Sequence, residues 1–359
     1  MRRVETTRRW RTVGVVAVMA MTLMIALSGC SSSKGAATGT GDTKTKSRKL
    51  TLVAYSIPGE AYKKIIPAFQ KSWKDKTGED VSFTESYGGS GSQARAVADG
   101  LEADVVHLAM EPDVNKIQEA GLIEAGWQDR SKAKGVATTS LIVIGVRPGN
   151  PKGIKTWSDL SAKGIGIVTP NPKTSGGAQW NLLADWGSVT LAAGGTPEQA
   201  YDQVRGLYAN ALVLDKNARD ASNTFLQKGI GDAALLWESD ALIGQAVGEK
   251  LDIVVPNDTI LAETAAAVVD ANAKKHGTED VAKAFVEFLF TPEAQKAFAE
   301  TGLRPVDETV LAQYADTFKT PTGKLFTIAD FGGWTKVTPE FFGDTGTYSR
   351  IEVDVAKGR

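Results

Sequence analysis

Residues 165–184, Ile165-Gly166-Ile167-Val168-Thr169-Pro170-Asn171-Pro172-Lys173-Thr174-Ser175-Gly176-Gly177-Ala178-Gln179-Trp180-Asn181-Leu182-Leu183-Ala184, read as one strand, one turn and one helix. The run 165–169 is short and β-branched, as a buried strand is. Residues 174–178 are small and leave backbone N–H groups free. Trp180, Leu183 and Ala184 then recur at helical spacing. A strand that feeds a helix through a tight turn is the repeating unit of an α/β layer structure.

The same alternation extends both ways from this unit. Strand-like runs precede it at 50–54, 81–84, 104–108 and 141–146, and follow it at 211–214, 233–237, 253–255 and 265–269. Helical stretches lie between most of them, and 281–290 and 292–300 are helical before an irregular C-terminal stretch. The fold class is therefore α/β, with helices flanking mixed, mostly parallel sheets. Tyr62, Ile65, Ile66, Phe69 and Trp73 form one helical core face, which Pro67 is expected to kink or restart. Pro148-Gly149-Asn150-Pro151 breaks the chain after a strand and marks a crossing between two lobes, with a weaker return crossing at 256–264. No internal repeat is present.

Two further turns share the pattern around Ser175. Tyr87-Gly88-Gly89-Ser90-Gly91-Ser92-Gln93 leads into Ala94, Val97, Ala98 and Leu101, with Ser90 or Ser92 as the expected N-cap. Asn217-Ala218-Arg219-Asp220-Ala221-Ser222-Asn223 leads into Thr224, Phe225 and Leu226. A helix N-terminus offers unpaired N–H donors and about half a positive charge, so three of them converging would hold an anion. Taken singly, each also reads as an ordinary turn in which Gly and Ser are favoured.

Other chemistries find little support. There is no GxxxxGK[ST], and neither GxGxxG nor GxSxG spacing occurs at the Gly88 loop. His107 and His276 are far apart and Cys30 is the one thiol, which leaves no zinc site, disulfide framework or Cys–His pair. Glu102/Asp104 and Glu238/Asp240 read as solvated faces or turn residues. No metal, cofactor or catalytic residue is expected. The formal net charge is −1 over 359 residues. Residues 1–29 carry five arginines against Glu5, so the remainder has 36 basic and 41 acidic residues and is no nucleic-acid binder on charge grounds.

Arg8-Arg9-Trp10-Arg11 precedes an apolar run at 13–27, shorter than the ~20 residues of a membrane-spanning helix. Residues 1–29 therefore read as a signal peptide, and the Arg8-Arg9 pair leaves twin-arginine export open. Leu27-Ser28-Gly29-Cys30 resembles the bacterial lipobox, which makes Cys30 the expected lipidation site. Residues 30–49, rich in Ser, Thr, Gly and Lys, read as a lipidated cysteine and flexible tether.

From about Lys49 onward the chain resembles the sulfate-binding proteins that serve ATP-driven sulfate and thiosulfate importers. The resemblance is carried by Ser86-Tyr87-Gly88-Gly89-Ser90-Gly91; Thr169-Pro170-Asn171-Pro172-Lys173-Thr174-Ser175-Gly176-Gly177-Ala178-Gln179-Trp180-Asn181; Thr224-Phe225; Trp237-Glu238; and Phe331-Gly332-Gly333-Trp334. It implies a two-lobed periplasmic-binding-protein fold of type II, with hinge strands between the lobes and the ligand in the interlobe cleft. Lobe 1 would take 50–145 and 260–310, lobe 2 would take 146–259, and 311–359 would pack on both. The resemblance further implies a dehydrated sulfate held by neutral donors alone. These are the backbone N–H groups of Ser90, Gly176, Gly177 and Ala218, the Ser175 hydroxyl and the Trp237 indole N–H, with Ser56 and Arg219 in contact behind them. Tyr87, Gln179 and Ser56 depart from the family, which often has His, Arg and Asp there. Arg304-Pro305 would be structural. The expected partners are sulfate, the permease subunits of an ABC importer and the membrane, through the lipid anchor of an extracytoplasmic monomer. Thiosulfate, molybdate and tungstate are alternative ligands, and an extracytoplasmic sulfate- or phosphate-ester hydrolase is the alternative of another class.

Overall fold

The computed structural model describes residues 47–358; the expected signal peptide and lipidation site at Cys30 lie outside the described residues. The chain alternates strands and helices: β1 Ser47–Tyr55, α1 Gly59–Thr77, β2 Asp80–Gly88, α2 Ser90–Ala98, β3 Val105–Leu108, α3 Glu111–Glu119, β4 Val136–Val146, β5 Ile167–Pro170, α4 Gly176–Gly187, α5 Pro197–Ala209, β6 Ala211–Asp215, α6 Ala218–Leu226, β7 Ala233–Trp237, α7 Glu238–Ala246, β8 Asp252–Val254 and β9 Thr259–Val268. Helices Asp270–His276, Glu279–Phe288 and Pro292–Ala299 follow, and the C-terminal helix is Thr347–Gly358.

The strand order is β2-β1-β3-β9-β4-β7-β5-β6, so one mixed sheet curls through the molecule. Its two ends are parallel, with β1 beside β2 and β3, and β5 beside β6 and β7. The two long strands between them are antiparallel. β4 pairs with β9 as far as Leu141, then with β7 from Ile142 onward. One strand thus belongs to both half-sheets, and the helices that follow strands of the two halves can face each other across it.

Each expected strand is present, with different limits in several cases: β4 begins at Val136 and not at 141, and β5 at Ile167 and not at 165. β1 takes in Ser47, Arg48 and Lys49 from the expected tether, because these residues pair with Asp80, Val81 and Ser82 and Arg48 reaches Glu79 and Asp280. β9 begins at Thr259, inside the expected return crossing, because Thr259 and Ile260 pair with Leu325 and Phe326 before Leu261 begins the pairing with β4. α1 runs through Pro67. The ring lies on the exposed side of the helix, where water can serve the carbonyl that proline leaves unpaired, while Tyr62, Ile65, Ile66, Phe69 and Trp73 bury the opposite side. Leu50, Ile65 and Phe285 sit in the core of the first half-sheet, and Trp180, Leu183, Trp237 and Ile351 in that of the second.

Candidate anion-binding site

Each proposed donor stands where a strand ends and a helix begins. Gly89 is the N-cap of α2, Ser175 of α4, Asn217 of α6 and Trp237 of α7, all in extended conformation. The N-cap expectation at Ser90 or Ser92 is corrected by one residue or more. Ser90 is the first residue inside α2, and its hydroxyl donates to Asp113 Oδ2 at 2.5 Å while accepting from Ala109 N–H at 2.9 Å. Its side chain is therefore occupied, and its first-turn backbone N–H has no partner available within the helix.

Close packing brings these turns together. A Cβ built on Gly89 would stand 2.7 Å from the Thr174 carbonyl and 2.9 Å from the Lys216 carbonyl, so the turn before α2 lies against the turns before both α4 and α6. Thr174 Oγ1 donates to the Lys216 carbonyl at 2.8 Å and joins those two directly. A Cβ on Gly177 would meet Trp237 Nε1 at 3.0 Å and Ser175 Oγ at 3.4 Å. Ser90, Ser175, Gly176, Gly177, Ala218 and Trp237 thus lie around one place, and all are buried. Ser56 and Arg219 lie beside it, with Arg219 N–H 3.4 Å from Ser56 Oγ.

Two donors stand out. Ser175 occupies an N-cap position, yet its hydroxyl makes no capping bond to α4. Trp237 is 1% exposed, and its indole N–H donates to the Gly177 carbonyl at 3.4 Å. That is beyond the usual N–H···O range, and a buried indole N–H ordinarily finds a partner.

The carboxylates differ from expectation. Asp104, Glu238 and Asp240 are buried rather than solvated. Glu238 is held in a fork by Arg304, with Nε and Nη2 at 3.1 and 2.9 Å, which gives Arg304 its structural role. Asp240 lies 3.2 Å from the Arg219 guanidinium; burial raises its pKa and Arg219 opposes the rise. Asp104 accepts from Thr51 N–H and Thr278 Oγ1. Glu102 is exposed as expected. Asp113 was not foreseen: it is buried against the first turns of α2 and α4, and burial raises its pKa. His107 is fully buried between Tyr62 and Thr264, which lowers its pKa to about 3 and keeps it neutral.

Of the departing positions, Gln179 donates to the Pro172 carbonyl at 3.1 Å and Tyr87 bonds Glu85. The arrangement suits a compact acceptor that needs many hydrogen bonds. Dipoles and N–H groups supply the positive potential, and the Arg219 guanidinium is already paired with Asp240.

Residues 50–304 match the family model described as bacterial extracellular solute-binding protein. A sulfate-binding protein of Synechococcus elongatus is 47% identical over 345 residues, which cover 95% of this chain and 96% of that one. A sulfate-binding protein of Escherichia coli is 44% identical, covering 85% and 93%. The solved sulfate-binding protein SubI from Mycobacterium tuberculosis superimposes with a TM-score of 0.76 at 38% identity, covering 82% of this chain and 99% of that one. The chain belongs to the sulfate-binding protein family of bacterial extracellular solute-binding proteins.

Proposed function

We propose that this protein binds sulfate outside the cytoplasm and delivers it to an ABC-type importer, as a receptor and not as an enzyme. The observation that carries the proposal is the packing of the turns before α2, α4 and α6 around an uncapped Ser175 hydroxyl and a weakly partnered Trp237 indole. In this reading the N–H groups of Ser90, Gly176, Gly177 and Ala218 complete six donors. Residues 50–145 with 260–310, and 146–259, act as the two lobes that enclose the anion, and 311–359 packs on them. Cys30 carries the lipid, the receptor is a monomer, and permease subunits are its membrane partners.

The energetics permit this without a salt bridge. Six hydrogen bonds to a charged acceptor, at about 1.5–3 kcal/mol each, give roughly 9–18 kcal/mol before ordering costs. Micromolar affinity needs only about 8 kcal/mol net. A donor-only lining also selects against hydrogen phosphate, whose proton would stay unpaired at a cost of about 1–3 kcal/mol.

The test is a calorimetric titration of the mature domain with sulfate, thiosulfate, molybdate and phosphate, followed in parallel by tryptophan fluorescence. Sulfate is expected to bind at micromolar concentration or below. Silence at millimolar sulfate, or stronger binding of phosphate, would overturn the proposal.

A further inference from the structure

Between β3 and α3 the chain turns through Ala109 and Met110, which are 1% exposed and pack in the same cluster as Trp180 and Trp237. This turn belongs to the first half-sheet, and α4 follows a strand of the second. Ala109 is bonded to both sides. Its N–H donates to Ser90 Oγ at 2.9 Å, at the start of α2, and its carbonyl accepts from Trp180 Nε1 of α4 at 2.9 Å. Ser90 Oγ is fixed in turn by Asp113. Beside this bond, a Cβ on Gly176 would meet Met110 Sδ at 2.9 Å and Asp113 Oδ2 at 3.1 Å, so the first turn of α4 fits directly against the same turn. One residue therefore ties together the first residue of α2 and the helix that starts at Gly176.

We propose that Trp180 is a positioning residue for anion retention, whose indole N–H latches α4 onto the Ala109 carbonyl and holds the two halves closed around the ligand. The inference rests on the sulfate reading above. Trp180 touches none of the proposed anion's ligand positions through its indole N–H; it acts through the placement of the α4 first turn. A contact made on closure is broken on release, so its loss is felt in dissociation and much less in association.

The experiment compares the parent with Trp180→Phe, which keeps a ring against Trp334, 4.8 Å away centroid to centroid. Stopped-flow measurement of sulfate binding is expected to show release accelerated about tenfold, the scale of one buried carbonyl left without its donor, with association changed by no more than about twofold. Unchanged release, or faster release matched by an equal loss of stability in the sulfate-free protein, overturns the latch. Should the variant fail to fold, hydrogen exchange of the Trp180 indole N–H in the parent decides: slower exchange on adding sulfate supports the latch, and equal protection with and without sulfate overturns it. A parent that takes no sulfate removes the transport reading and the latch together, whereas a parent that binds beside an unaffected variant removes the latch alone.

Discussion

Ser175 sits where a serine ordinarily bonds the first turn of its helix, and here it does not. That leaves its hydroxyl free for a ligand and makes it the side chain whose removal should be most specific. Ser175→Ala is expected to weaken sulfate binding by about 10- to 100-fold, the worth of one hydrogen bond to a charged acceptor, with little change in melting temperature. Calorimetry beside a thermal melt checks it, and parental affinity would exclude the hydroxyl as a ligand. Ser175, Gly176 and Gly177 were legible because small residues between a strand and a helix announce free N–H groups. Asp113 and Asp240 were not legible. A buried carboxylate is written with the same letter as a solvated one, and its neutralising partner, Arg219 for Asp240, lies elsewhere in the sequence.

At the level of elements, the proposed site requires the three turns to pack on one another, and Gly89 is where they approach closely. Its missing Cβ makes room for the Thr174 and Lys216 carbonyls, both backbone groups that cannot rotate away. Gly89→Ala should therefore wedge the turn before α2 from those before α4 and α6. The expected result is a loss of at least about tenfold in sulfate affinity with secondary structure intact, a cost on the scale of overpacking a close-fitted contact. Parental affinity by calorimetry, with unchanged circular dichroism, would show that the turns do not act as a unit. The strands that build this arrangement were readable where they are apolar on both faces, as β5 and β7 are. The N-terminal half of β4 was missed: Val136, Thr138, Thr139 and Ser140 are strand because β9 pairs them on one side, and Arg304 and Pro305 pair with Thr139 and Thr138 on the other. Polar residues become a central strand through their partners, which no local pattern contains.

For the whole molecule, the question is how a binding site becomes a delivery system. A receptor free to diffuse would be diluted away from its permease, whereas one tethered to the same membrane is present at high effective concentration. The Ser-, Thr-, Gly- and Lys-rich sequence that precedes β1 is what we propose to serve as this tether. A lipid anchor in that role would have to bury more than one acyl chain, since each CH₂ contributes about 0.8 kcal/mol and a single chain holds only reversibly. If Cys30 carries it, Cys30→Ser should move the protein from the membrane fraction to the soluble extracytoplasmic fraction. Its sulfate affinity after purification should be unchanged, because none of the proposed donors belongs to the sequence around Cys30. Uptake of labelled sulfate by cells should fall at limiting concentration, where supply to the permease governs the rate, and recover at excess. Fractionation and uptake together separate the two roles: a Cys30→Ser protein still extracted only by detergent would show that another part of the chain provides the attachment.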